Sequence, residues 1–167
     1  MSHQSVRRRT VRIVLLGIAA ITAPGVSAAA QELVTITVPS AVSFAVTDVS
    51  RSTSGVPSPT RISFSNAILI PGRVLRISVQ AGSAGFTPPS GASIPSSNVS
   101  WTNLGATSGT GWNGSLSSSS YTLVYQSDPL RTSGHIDLGW TLAAPGSGIR
   151  AGSHQLTIRW KVESIAP

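Results

Sequence analysis

The sequence predicts an all-β domain, an antiparallel sandwich of about eight strands behind a short N-terminal leader. Three observations predict it. Apolar residues recur at period two from residue 34 onward, the pattern of strands buried on one face. Gly, Pro, Ser and Thr interrupt these runs at short intervals, and no stretch holds a helical period. The opening residues differ in composition from everything that follows.

That opening reads as a secretory signal peptide over residues 1–30. Arg7, Arg8, Arg9 and Arg12 form a basic start, Ile13 to Ile21 an apolar run, and Pro24-Gly25 a break before the small residues of Val26-Ser27-Ala28-Ala29-Ala30. Cleavage after Ala28 or Ala30 places the mature N-terminus at Ala29 or Gln31. The apolar run is about nine residues, well short of the roughly 20 that a membrane-spanning helix needs. The expected product is an exported protein, periplasmic, cell-surface or extracellular, with no stable membrane span in its mature form. Residues 31–167 form its single domain.

The elements follow in order. Val34, Ile36 and Val38 alternate with Thr35 and Thr37 until Pro39 ends the run, and Val42, Phe44 and Val46 predict a second strand. Residues 50–59 are polar and read as a loop. Ile62 and Phe64 alternate with Arg61, Ser63 and Ser65, followed by the apolar run Ala67 to Ile70 and the Pro71-Gly72 turn. Leu75, Ile77 and Val79 make the next strand, and residues 81–97 a loop rich in Gly, Pro and Ser. Val99 and Trp101 form a short strand before a third polar loop over residues 104–120. Tyr121, Leu123 and Tyr125 share one parity. Ile136, Leu138, Trp140 and Leu142 share a face, as do Leu156, Ile158, Trp160 and Val162, and the two runs read as a closing antiparallel hairpin. Short half-polar strands with turn-rich connections point to a sandwich of immunoglobulin-like type. A transmembrane barrel needs longer strands and aromatic girdles, which these segments lack.

Composition narrows the function. The chain has no cysteine, so an exported domain of this size is held by its apolar core rather than by disulfides, and thiol chemistry is excluded. The net charge of +7 includes the four leader arginines, which leaves +3 after cleavage. Those remaining cations are scattered, whereas a nucleic-acid surface needs a clustered stripe. No Gly-x-Ser-x-Gly elbow is present, and the five acids are too dispersed for a calcium loop or a carboxylate pair. His135 and Asp137 share a strand face, but with His154 they make a poor zinc set and read as an exposed polar pair. The expectation is a non-enzyme without cofactor or metal. Asn98-Val99-Ser100 and Asn113-Gly114-Ser115 match the glycosylation sequon and carry no function in a bacterial reading.

The tryptophans divide into two kinds. Trp101, Trp140 and Trp160 fall on apolar strand positions and are expected inside the sandwich. Trp112 lies in a Gly- and Ser-rich stretch, where an exposed ring is able to stack on a sugar. Trp112, with Tyr121 and Tyr125, is therefore the candidate binding surface for glycans.

Ala151-Gly152-Ser153-His154-Gln155-Leu156-Thr157-Ile158-Arg159-Trp160-Lys161-Val162 resembles the closing strand of secreted bacterial pilin-like domains, a small residue and Gly followed by alternation toward the C-terminus. The chain departs from chaperone–usher pilins in having no disulfide and no Tyr next to its last residue. The resemblance implies a surface β-sandwich with a structural or adhesive role, and association with itself or other surface subunits by strand addition. Leu33 to Val38 has two expected fates, donation to a neighbour's sheet or ordinary pairing at an edge of its own. The alternative function is a carbohydrate-binding module built on the exposed tryptophan.

Overall fold

The structure, a computed structural model, describes Thr10–Val14 and residues 31–167. The expected leader lies outside the described residues except for its strand Thr10–Val14. The strands in chain order are β1 (Thr10–Val14), β2 (Leu33–Thr37), β3 (Thr53–Ser54), β4 (Thr60–Ile68), β5 (Val74–Ala81) and β6 (Val99–Thr107). They continue with β7 (Gly109–Gly111), β8 (Gly114–Ser115), β9 (Thr122–Ser127), β10 (Gly134–Leu142) and β11 (Ile158–Ile165). A 3₁₀ turn over Ser96–Asn98 precedes β6.

These strands form two antiparallel sheets. The seven-stranded sheet runs β1-β2-β4-β10-β6-β8, with β3 on β10 beyond the end of β4. The four-stranded sheet runs β11-β5-β9-β7. Alternation places one side of each strand between the sheets. Ile62, Phe64, Trp101, Ile136, Leu138 and Trp140 are buried from one sheet, and Leu75, Ile77, Val79, Val124 and Tyr125 from the other. The expected all-β sandwich is what the chain forms.

Four local expectations are corrected. The closing hairpin does not exist, because β10 pairs with β4 and β6 while β11 pairs with β5 across the sandwich. Residues 143–157 are long enough to carry the chain from one sheet to the other. Val42, Phe44 and Val46 form no strand; only Ser43 pairs there, with Val56, through two 2.9 Å main-chain bonds. The polar segment 104–120 is about half sheet, holding the end of β6, then β7 and β8, since main-chain pairing needs no apolar side chains. The segment 50–59 likewise holds β3.

The two long edges are finished differently. At one, the chain passes from β7 in one sheet through Trp112 and Asn113 to β8 in the other. At the other, where β1 lies outside β2, Glu32 just ahead of β2 accepts hydrogen bonds from Ser164 Oγ of β11 at 2.8 Å and from the Ile70 amide after β4 at 2.9 Å. β11 has β5 on one side and no described strand on the other.

Candidate functional site

The three aromatic candidates do not share a surface. Trp112 is on the crossover and 37% exposed, as its setting predicts. Its amide donates to the Val124 carbonyl, and its own carbonyl accepts the Trp101 indole N–H at 2.8 Å. Tyr121 is exposed and lies under Lys161, whose Nζ is 5.6 Å from the ring centroid.

Tyr125 is a correction, being fully buried at 0% exposure and therefore no part of a surface site. The cause is a bulge. Ile77 pairs with Tyr125 while Ser78 pairs with Leu123, so Val124 is the extra residue and the parity of β9 inverts there. Tyr121 then points outward and Tyr125 inward, although both sit at odd positions. The Tyr125 hydroxyl donates to the Thr107 carbonyl at 2.7 Å and ties the sheets together. Burial, more than nearby Asp128, pushes its phenol up to about 12.

His135 and Asp137 do meet on the outer face of β10. Arg61 donates two 2.7 Å bonds to Asp137, which hold its carboxyl below the usual carboxylate range. His135 Nε2 is 4.0 Å from Asp137 Oδ2, and Nδ1 is 3.0 Å from Thr107 Oγ1. His154 lies elsewhere, its Nε2 2.9 Å from the Arg150 carbonyl. The pair sits on the outer sheet face, and its groups are engaged by Arg61 and Thr107.

The feature that sequence reasoning missed is a cleft of about 990 Å³ beside β11. One wall is residues 39–49, where Val42, Phe44, Val46 and Val49 line the space, and the other is Leu156, Ile158 and Trp160. Buried Phe86, Ile94, Trp140 and Leu142 form its depth. Trp160, expected in the core, is only partly buried, and no described strand lies beyond β11 to cover it. Trp140 is where it was expected, 3% exposed and packed 5.5 Å from Trp101. Two buried polar atoms in the lining residues have no partner, Trp140 Nε1 and His154 Nδ1. A signal for the cleft was present in the sequence. Val42, Phe44 and Val46 alternate like a strand yet are separated from β2 by Pro39, which supplies no amide hydrogen.

No known family model, curated protein or solved structure matches this chain.

Proposed function

We propose that this chain is an exported bacterial cell-surface β-sandwich with a structural or adhesive role. In this reading it is a filament subunit that takes up a strand from another subunit along the free edge of β11. The observation that carries the reading is the juxtaposition of that edge with the apolar cleft. An unpaired edge offers a row of amides and carbonyls to a further strand. Such a strand gains affinity from main-chain hydrogen bonds, and its alternate side chains are accommodated by the adjoining pocket. The resemblance of residues 151–162 to pilin-like closing strands supports the same reading.

The added strand comes from outside the domain. Leu33–Thr37 pairs with β4 of its own sheet, and Val34 and Ile36 are buried in the core. Removing that strand to serve a neighbour exposes both side chains.

The test is assembly of the mature protein, followed by analytical ultracentrifugation and electron microscopy. Wild-type protein is expected to form filaments or strand-bound complexes. Trp160→Lys, at a partly exposed position of the cleft wall, is expected to give a folded monomer by circular dichroism that no longer assembles. A wild-type protein that stays monomeric at high concentration and takes up no extended peptide overturns the proposal. The exposure of Trp112 favours carbohydrate binding as a second reading, checked by retention on immobilised glycans that Trp112→Ala abolishes.

A further inference from the structure

We infer that the processed chain pairs with a second copy of itself along the outer edge of β2, the edge that β1 covers before processing. The inference goes beyond strand uptake at β11 and rests on removal of the leader. β1 is the outermost strand of its sheet and pairs with β2 in an unbroken antiparallel register, from Thr10 opposite Thr37 to Val14 opposite Leu33. All five of its residues lie ahead of the expected cleavage sites. Cleavage leaves at most four residues, Ala29 to Glu32, ahead of Leu33, too few for a turn and a returning strand. The sheet of the processed chain then ends at β2, whose one remaining described neighbour is β4.

This edge is built to accept a strand. Natural edges are blunted by charges, by proline or by a bulge. Leu33–Thr37 carries neither charge nor proline. The irregularity in its pairing with β4 belongs to β4, which runs three residues from Ser65 to Ile68 while β2 runs two from Thr35 to Leu33. The outer side of β2 is left regular, as its unbroken register with β1 records. Beside it Leu33 and Ile68, partners across β2 and β4, are 41% and 61% exposed.

The pattern of β2 itself identifies the occupant. β1 reads Thr-Val-Arg-Ile-Val and β2 reads Leu-Val-Thr-Ile-Thr, with Val and Ile at the same second and fourth places. In the register of β1 on β2, Val11 stands opposite Ile36 and Ile13 opposite Val34. A second β2, laid antiparallel with its Thr35 opposite the first Thr35, repeats both pairs with Val34 and Ile36 alone. The arrangement is two-fold symmetric, so each copy gives and receives the same surface. Opposed residues share a face of the sheet, which keeps the buried Val34 and Ile36 of both copies on the core side. Where Arg12 stands before processing, Thr35 then meets Thr35, a favourable cross-strand pair. Like charges do not meet, because β2 has none and Glu32 is engaged by Ser164 and the Ile70 amide.

Five residue pairs make a small contact, so the dimer is expected to dissociate with a Kd of about 100 µM. The experiment uses the exported, processed protein carrying Trp160→Lys, which takes assembly through β11 out of the measurement and is a monomer when dilute. Analytical ultracentrifugation from about 10 µM to about 1 mM is expected to show a monomer–dimer equilibrium. Hydrogen exchange is expected to slow at Leu33–Thr37 as the protein is concentrated. Thr35 is half-buried and alternates with the core residues Val34 and Ile36, so a charge there leaves the core alone. Thr35→Lys or Thr35→Glu by itself sets like charges opposite each other, and each is expected to weaken dimerisation at least about fivefold. An equimolar mixture of the two is expected to recover the affinity, a rescue that misfolded variants do not give. A protein that stays monomeric at about 1 mM overturns the inference. So does a dimer that protects β11 and leaves Leu33–Thr37 exchanging freely, or a mixture no stronger than either variant alone. Filament formation by the protein that keeps Trp160 tests the β11 reading separately, so either reading fails without the other.

Discussion

Along one edge of the sandwich the chain steps from sheet to sheet through two residues, and along the other β11 has no outer neighbour among the described strands. Trp101 and Trp160 belong to these two edges. Both occupy apolar positions of alternating strands. Trp101 is covered because the crossover folds over it: its indole donates to Trp112, and Gly114 lies so close that a Cβ there would stand 2.5 Å from Trp101 Cζ2. Only glycine allows that approach. Trp160 has the same chemistry and no such cover. The difference teaches that burial belongs to the neighbour rather than to the residue.

The largest test of this contrast is a pair of truncations. Trp101→Ala is expected to cost about 3–5 kcal/mol, as full core aromatics do, and to free the Trp112 carbonyl as well. Trp160→Ala is expected to cost no more than about 2 kcal/mol, since part of its area is already in water. Denaturant midpoints compared at equal m-value measure both. Equal losses break the contrast, because they require β11 to be as well covered as β6.

A smaller effect is expected where Tyr125 ties the sheets. Tyr125→Phe removes the bond to the Thr107 carbonyl and leaves that oxygen unsatisfied, a loss of about 1–2 kcal/mol. The phenol is held up to about 12 in the folded protein. An acid whose folded value is raised contributes its stability in full below its unfolded value and loses it as pH climbs toward the folded one. The wild type is therefore expected to lose stability between about pH 10 and 12. The Phe variant is expected to show a flatter alkaline limb, read by thermal melts across that range. An unchanged limb removes Tyr125 from the closure.

The smallest effect is expected at Trp112. Its structural contribution to the closed edge is made by backbone groups, so Trp112→Ala is expected to change stability by less than about 1 kcal/mol. A large loss shows that the ring, and not the main chain, seals this edge.

Much of the fold was legible because alternation reports directly which positions face a core. Leu75-Ile77-Val79 and Ile136-Leu138-Trp140-Leu142 were readable on that ground. Alternation carries no label for the partner strand, which is why β10 and β11 looked like a hairpin. It also fails wherever one residue is inserted, as at Val124, and there Tyr121 and Tyr125, of one parity in the sequence, end on opposite faces. The sheet content of residues 104–120 was hidden because Gly, Ser and Thr pair through their main chain without an apolar signature. The cleft was marked in the sequence only by the alternation of Val42, Phe44 and Val46 beyond Pro39, for a further reason. It is a space between segments distant in sequence, and its unmatched polar atoms, Trp140 Nε1 and His154 Nδ1, declare themselves only once their surroundings are set.

The pairing of β11 with β5 also sets a clock. β5 leaves the ribosome with five strands still to come before β11, and the register joining Ile158 to Ala81 through Ile165 to Val74 waits for all of them. Contacts between such distant segments slow folding, because loop closure precedes the gain from pairing. Throughout that wait the edge of β5 that β11 will cover stays open, and Leu75, Ile77 and Val79 lack part of their cover. A nascent chain in this condition is exposed to mispairing with its siblings. The hazard ends when the C-terminal strand docks.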